Sequence, residues 1–281
     1  MKLWTDFGRA AGALAALVLF LALGAAAETT NDSVAAIIQG RKLALQLITQ
    51  RPLTNLTQTG VLKIRPAAGP ATEIPVTFEI AITPTNWLST YTAADAHGTE
   101  TLVIAHAENQ THPLEGDFPS NGEGPQYIIG LKDPPLGSPN RYTHTRSRTE
   151  LPAKEFWPDH LLPFAGSDFW ECDLGLEFFH WPAQKILPKT TSLKRGREYT
   201  LLESTNPNPT PNGYSRVLSW IDKETGGILA GEVYDAQGKL LKEFEPKSFK
   251  KVNGQWELQE MEIRNVQTGS RTRLEFDLKS N

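Results

Sequence analysis

Between residues 214 and 278, short apolar segments alternate with turn signals. Each connection contains a glycine, and one is the pair Asn253–Gly254, the strongest short hairpin signal. The segments long enough to form strands are Val217–Ile221, Ile228–Tyr234, Lys239–Glu245, Trp256–Val266 and Arg271–Leu278. The pattern predicts an unbroken run of antiparallel hairpins.

From Arg273 onwards, the last of these segments alternates between charged and apolar residues. Leu274, Phe276 and Leu278 fall on one face of the predicted strand, and charged side chains fall on the other. Such alternation places one face of a sheet against an apolar layer and the other in water. The function of the sheet therefore depends on what packs against its apolar face.

Residues 1–27 have the features of a cleaved signal peptide. Lys2 and Arg9 give a positive start, residues 10–23 are apolar, and small residues precede Glu28. The apolar run is shorter than the ~20 residues that a transmembrane helix needs. We therefore expect an exported, periplasmic protein in which residues 28–281 form a single domain.

Charge and cysteine content exclude several classes of protein. The formal net charge is −4, and it becomes −5 without residues 1–27, which carry two basic residues and one acidic residue. A mildly acidic surface argues against nucleic-acid binding and against electrostatic attachment to anionic membranes. Cys172 is the only cysteine, so no internal disulfide forms, and burial is favoured over pairing with a partner. We expect a monomer.

The N-terminal half is predicted to be a helix followed by a β-meander. Residues 31–48 carry an apolar stripe at helical spacing, and Arg51–Pro52 ends it. The period then changes to two, with strands predicted at 60–65, 74–82, 87–92 and 100–107. The clearest strand places five apolar residues on one face: Ile74, Val76, Phe78, Ile80 and Ile82.

The middle of the chain is less regular. Residues 112–150 are rich in proline and glycine and read as an insertion, with Tyr127–Ile129 as one short strand or helical turn. A buried helix is predicted at Phe169–His180, capped by Ser167 or Asp168. Residues 185–197 are interpreted as a basic connector.

No catalytic constellation is visible in the sequence. Ser167 lacks the flanking glycines of a nucleophile elbow, so a helix cap is the favoured interpretation. Glu177 and His180 have the spacing of two metal ligands on a helix, but no second such motif accompanies them. We predict a protein that is not an enzyme and that uses no metal or cofactor.

Two groups of motifs resemble the bacterial outer-membrane lipoprotein-sorting family, the relatives of the periplasmic lipoprotein carrier LolA. One is Gly166–Phe169 followed by Asp173 and Leu174. The other begins at Trp220–Lys223, continues through Val233–Asp235 and Gly238–Leu240, and ends at Leu274. The resemblance covers about residues 162–278, and the insertion at 112–150 has no counterpart in the family's pattern.

The resemblance implies a mainly β fold with covering helices (α+β). It is a strongly curved antiparallel sheet, or unclosed β-barrel, with helices in its concave face. The family holds acyl chains in an apolar cavity between sheet and helices. The implied partners are acyl chains of lipoproteins or other lipids, together with inner- and outer-membrane proteins that handle lipoproteins.

Two functions remain open at this point. The first is a lipid or lipoprotein carrier; the second is a non-transporting envelope sensor or scaffold that binds a lipid or a protein with the same half-barrel. They differ in whether the cavity is open or filled by its own aromatic residues. The predicted lining residues, for which plain core packing is the alternative, are Ile37, Ile38, Phe78, Ile80, Ile82, Leu274 and Phe276.

Overall fold

The computed structural model describes residues 33–84, 86–96, 98–107, 126–132, 161–189, 191–252 and 255–278. The predicted signal peptide and most of the predicted insertion lie outside these residues. So does the predicted Asn253–Gly254 turn.

Twelve strands in the described residues form one antiparallel sheet. In chain order they are β1 (Leu56–Arg65), β2 (Thr72–Ile82), β3 (Asn86–Asp95), β4 (Gly98–Ala107), β5 (Gln126–Lys132), β6 (Ala183–Leu187), β7 (Tyr199–Thr205), β8 (Tyr214–Asp222), β9 (Ile228–Asp235), β10 (Leu240–Val252), β11 (Gln255–Asn265) and β12 (Arg271–Phe276). Their spatial order is β5-β4-β3-β2-β1-β12-β11-β10-β9-β8-β7-β6. Two meanders are thus joined edge to edge where β1 pairs with β12, and the sheet is curved but unclosed, as predicted.

The two faces of the central strands have opposite chemistry. Leu274, Phe276 and Leu278 are buried, as their alternation predicts. Charged residues on the other face pair across strands, with Lys63 Nζ 2.7 Å from a carboxylate oxygen of Glu275. The apolar face is the concave one, so the core lies inside the curve of the sheet.

The first helix, α1, comprises residues 33–48 of the described chain, which confirms the predicted helix. Ala44 is buried in it and packs in one cluster with residues of β7–β10. A Cβ atom at Gly40 would lie 2.6 Å from the backbone of Lys185. A glycine at this position therefore lets α1 approach edge strand β6 closely.

The second covering element is a short irregular segment, residues 161–181, which we call the plug. It contains a 3-10 turn at Phe164–Gly166, helix α2 at Glu171–Leu174 and a second 3-10 turn at Glu177–His180. The predicted single helix at Phe169–His180 is therefore wrong. Leu176 adopts a left-handed conformation, with φ 50°, and this breaks the helix in the middle.

Strands β5 and β6 settle two further predictions. Residues 126–132 form a strand that pairs with β4, which decides between the strand and helical-turn alternatives.

The predicted basic connector at residues 185–197 is partly wrong, because Ala183–Leu187 forms β6. Gln184 on this strand is buried and donates hydrogen bonds to the carbonyls of Phe178 and Trp181. A polar residue in the core obscures the strand pattern.

The convex face carries its own small core beneath β7–β9. Tyr199, Leu201, Trp220 and Ala230 are buried there. The ammonium group of Lys194 lies 4.1 Å from the centre of the Trp220 ring, so the connection between β6 and β7 covers this patch. No helix in the described part of the chain is long and apolar enough to cross a membrane.

Candidate functional site

A cavity of about 630 Å³ lies between the concave face of the sheet and the plug. Its sheet side is contributed by β1–β3 and β8–β12. The plug side is formed by Phe169, Asp173, Leu174, Leu176 and Phe178, and residues 52–54 complete the wall. The cavity therefore lies at the seam between the two meanders.

Most of the lining is apolar, and part of it reaches the surface. Leu53 is 90% exposed and Phe249 is 54% exposed, yet both line the cavity. The edge of the cavity therefore exposes apolar surface at these two residues.

Small residues in the middle of strands create the space. Ser219 on β8 and Gly231 on β9 are cross-strand neighbours and both line the cavity. Gly231 also pairs with Phe244 on β10. Two adjacent positions without bulky side chains leave a hollow in a sheet that is otherwise lined by aromatic and branched residues.

A buried polar network fixes the plug to the sheet beside the cavity. Lys242 on β10 is 0% exposed. Its ammonium group donates to the Asp173 carboxylate and to the Asp168 carbonyl, each at 2.9 Å. Tyr214 donates to the same Asp173 carboxylate at 2.9 Å. Asp173 thus connects α2 to β8 and β10.

Aromatic rings enclose this network. The Lys242 ammonium lies 3.5 Å from the centre of the Trp170 ring, and that ring stacks on Tyr214 at 4.9 Å. Burial lowers the pKa of Lys242, while the neighbouring Asp173 carboxylate opposes that shift. Burial and the same carboxylate raise the pKa of Tyr214, so its hydroxyl keeps its proton and donates.

Asp168 makes a second attachment. Its carboxylate accepts hydrogen bonds from Ser270 at 2.5 Å and from Thr272 at 2.9 Å, and its backbone N–H donates to Thr272. The predicted role of Ser167 or Asp168 as a helix cap is therefore wrong. Instead, the Gly166–Phe169 motif holds the plug against β12.

Three crystal structures of other proteins are similar to this chain in fold. A DUF1329 family protein from Desulfovibrio piger is 18% identical with a TM-score of 0.61, over 86% of this chain and 91% of that one. An outer-membrane lipoprotein-sorting protein domain from Vibrio parahaemolyticus is 17% identical with a TM-score of 0.61, over 85% and 91%. A LolA superfamily protein from Nitrosomonas europaea is 12% identical with a TM-score of 0.50, over 86% and 93%.

The fold is LolA-like. The resemblance predicted from the motifs is thereby confirmed. A family model described as an uncharacterized protein also matches residues 159–279, which contain the plug and strands β6–β12. No curated protein matches the sequence.

Of the five predicted lining residues on the sheet, three line the cavity and two do not. Phe78, Ile80 and Phe276 line the cavity. Leu274 is buried within the core beside it, and Ile82 lies at the end of β2 outside the lining. Their role in lipid binding stays a prediction.

The two predicted residues of α1 are placed differently. Ile37 is half-buried, Ile38 is 55% exposed, and neither belongs to the cavity lining. The reason is that α1 covers the sheet over β6–β9, whereas the plug and residues 52–54 cover the cavity. Ligand binding by Ile37 and Ile38 also stays a prediction.

Sequence reasoning missed the polar residues of the cavity. Tyr91 on β3, Gln58 on β1 and Glu257 on β11 all contribute to the lining. Tyr91 shares the concave face with Phe78, since the two are cross-strand neighbours whose rings are 4.7 Å apart. The alternation of Trp87, Ser89, Tyr91 and Ala93 could have predicted that position, but Gln58 and Glu257 follow no apolar pattern.

The candidate metal-ligand pair lies away from this cavity. Glu177 and His180 are buried in the second 3-10 turn of the plug. Across the described residues, no three His, Cys, Asp or Glu side chains are grouped to hold a metal ion. Cys172 is buried, as expected for a cysteine that serves as packing.

Proposed function

We propose that this protein binds acyl chains of lipids or lipoproteins in the cavity between sheet and plug, and carries them through the periplasm towards the outer membrane. The observation that supports this proposal is the cavity itself. It is open, predominantly apolar and covered by short elements rather than filled by aromatic side chains.

The size and chemistry of the cavity suit an acyl chain. Small-molecule sites typically have volumes of ~300–1,000 Å³, and about 630 Å³ falls within that range. Each methylene group removed from water contributes ~0.8 kcal/mol, so a long chain supplies substantial affinity without specific contacts. Most of the affinity therefore comes from the length of the buried chain.

A carrier also needs a way to open. Residues 52–54 connect α1 to β1 and lie outside both elements, and Leu53 in this connection is almost fully exposed. The plug, in contrast, is attached by Asp168 and Asp173. We therefore place the entrance at residues 52–54 and Phe249, with the plug as the fixed wall.

The structural neighbours support this proposal. The Vibrio parahaemolyticus structure is described as an outer-membrane lipoprotein-sorting domain, and the same fold in this chain makes acyl binding a reasonable expectation. Proteins that load and unload lipoproteins at the inner and outer membranes are the partners that the proposal requires.

Filling the cavity with one side chain tests the proposal. A Cβ atom at Gly231 would lie 3.6 Å from Phe244 Cβ, an ordinary contact, and the backbone there needs no glycine-specific conformation. We expect Gly231→Leu to leave the fold intact and to weaken binding of a fluorescent long-chain fatty acid at least tenfold. Binding is measured by fluorescence titration of residues 28–281, and folding by circular dichroism.

Ala81→Leu is the matched control. Ala81 is exposed on the face of β2 opposite to Ile80, so the same kind of side chain is added outside the cavity. We expect its affinity to equal that of the wild type. Equal binding by the wild type and Gly231→Leu would place the fatty acid elsewhere. Absence of binding to all three proteins would favour the sensor or scaffold alternative.

A further inference from the structure

We propose that the cavity recognises the carbonyl-bearing junction of an ester- or amide-linked acyl chain, through a polar row formed by Tyr91, Gln58 and Glu257. The inference rests on the proposed function and specifies its ligand: an amphiphile whose chain is joined through a carbonyl and whose adjoining group carries a hydrogen-bond donor. A plain hydrocarbon offers no hydrogen-bond partner to these three side chains.

Tyr91 is the decisive residue. Its side chain is 9% exposed and lines the cavity. Its ring is held between Phe78, at 4.7 Å, and Phe164, at 6.1 Å. Within the described residues its hydroxyl has no hydrogen-bond partner. Because Tyr91 lines the cavity, a ligand bound there can supply the hydrogen-bond partner that this hydroxyl lacks among the described residues.

The Tyr91 hydroxyl acts as a donor. Burial raises the pKa of Tyr91 above its ordinary value, so the phenol keeps its proton under physiological conditions. A carbonyl oxygen accepts such a hydrogen bond. An alkyl chain lying against the same hydroxyl would leave it unsatisfied, which opposes binding.

Gln58 and Glu257 provide the other end of the row. Gln58 donates from Nε2 to a Glu257 carboxylate oxygen at 2.8 Å, and both side chains line the cavity. Lys250 is the cross-strand neighbour of Glu257, and its ammonium group donates to the Leu278 carbonyl. The remaining carboxylate and amide oxygens are acceptors, so they suit an N–H, a hydroxyl or an ammonium group.

The register of the sheet fixes the spacing between the two ends. Gln58 pairs with Phe78, and Phe78 pairs with Tyr91, so the three residues form a straight row across β1, β2 and β3. Adjacent strands are about 4.8 Å apart, which places Gln58 and Tyr91 on the order of 10 Å from each other. A donor at Tyr91 and acceptors at Gln58 and Glu257 therefore flank the apolar ring of Phe78.

The row fits the ester or amide group that joins an acyl chain to its headgroup better than it fits a free fatty acid. An ester or amide group presents a carbonyl oxygen to Tyr91 without carrying charge. A fatty-acid carboxylate would bring a negative charge into a cavity that already contains Glu257, and like charges repel. We expect chains linked through a carbonyl to bind more tightly than free fatty acids of equal length.

The test compares an ester with its ether analogue, which lacks the carbonyl oxygen. Both are long-chain amphiphiles with the same hydroxyl-bearing head, and both are measured by displacement of a fluorescent fatty acid. We expect the wild type to bind the ester roughly three- to tenfold more tightly than the ether, the range of a single net hydrogen bond. In Tyr91→Phe the two affinities should become equal, because ether binding stays unchanged while ester binding weakens.

Tyr91→Phe is expected to fold, since it keeps the ring and removes a hydroxyl that has no hydrogen-bond partner among the described residues. Glu257→Gln provides a second variant that keeps hydrogen bonding to Gln58 and removes the charge. It should raise the affinity of a free fatty acid relative to the ester. If Tyr91→Phe retains the full ester preference, or if the wild type shows none, the inference is overturned while acyl binding stands. If the fluorescent fatty acid does not bind to the wild type at all, the proposed function fails with it.

Discussion

A single buried residue, Lys242, attaches the plug to the sheet beside the cavity. The plug packs Phe164 and Phe169 into the core, and Lys242 also connects it to β10 through the Asp173 carboxylate and the Asp168 carbonyl. Burying the Lys242 ammonium group costs free energy unless an opposite charge compensates it. The Asp173 carboxylate supplies that charge, so the pair fixes α2 relative to β10.

Replacing Lys242 should therefore strongly reduce the stability of the protein. Lys242→Met leaves the Asp173 carboxylate buried without its cation, and we expect a loss of ~3–5 kcal/mol in the free energy of unfolding. Urea denaturation followed by tryptophan fluorescence measures it. Lys251→Met, at an exposed position on the same strand, should change the stability by less than about 0.5 kcal/mol. A small effect at Lys242 would show that the plug is held mainly by its apolar contacts.

His106 supplies a pH-dependent contribution to stability. Its ring stacks on Trp87 with centres 4.9 Å apart, and burial lowers its pKa to about 4 from 6.5. Between these values the unfolded chain binds a proton that the folded protein excludes. Stability is therefore complete above pH 6.5 and decreases as the pH falls towards 4.

NMR titration of the imidazole resonances measures the His106 pKa directly, and urea denaturation at several pH values measures the linkage. We expect the loss of stability between pH 6.5 and 4 to be smaller in His106→Phe, which retains a ring against Trp87. Identical pH dependence in the two proteins, or a His106 pKa near 6.5, would contradict this assignment.

At the level of elements, α1 and β6 meet at a single glycine. A Cβ at Gly40 would lie 2.6 Å from the Cα and N atoms of Lys185, so only glycine allows the present helix–strand distance. In an isolated helix, alanine is ~1 kcal/mol more favourable than glycine. Packing against the strand backbone reverses that preference.

We expect Gly40→Ala to destabilise the protein by roughly 1–3 kcal/mol, the usual cost of overpacking. Gln39→Ala, at an exposed neighbouring position, isolates the effect of helix propensity. Thermal or urea denaturation distinguishes the two substitutions. Stabilisation by Gly40→Ala would mean that α1 can move away from β6 at no cost.

Strands with strict alternation could be predicted from the sequence, whereas elements held by polar contacts could not. The apolar positions of β2 and β12 reveal both the strand and its buried face. β6 has a buried glutamine in its pattern, and the plug contains a left-handed leucine that no propensity signals. In both places tertiary hydrogen bonds replace local preference.

The cavity was predictable only in part for the same reason. Phe78, Ile80 and Phe276 follow from alternation, but the hollow itself results from Ser219 and Gly231 lying side by side. That adjacency depends on the register between β8 and β9, which a single sequence does not specify. The contribution of residues 52–54 depends on where α1 docks.

At the level of the whole molecule, the cavity depends on pairing between the two ends of the chain. β1 pairs with β12, so that Leu62 lies opposite Leu274. A Cβ atom at Gly60 would lie 2.2 Å from the Glu275 carbonyl oxygen, which shows how closely the two strands approach. Both meanders contribute lining residues, so the complete cavity forms only when this seam has closed.

In the proposed function, the closed seam encloses an acyl chain. Mass spectrometry of an organic extract tests this on residues 28–281 purified from a bacterial periplasm without detergent, with Gly231→Leu prepared in parallel. We predict a stoichiometric acylated species from the wild type and a much smaller amount from the variant. A wild-type extract free of acylated species, from protein that also fails to bind added fatty acid, would show that the cavity does not hold acyl chains.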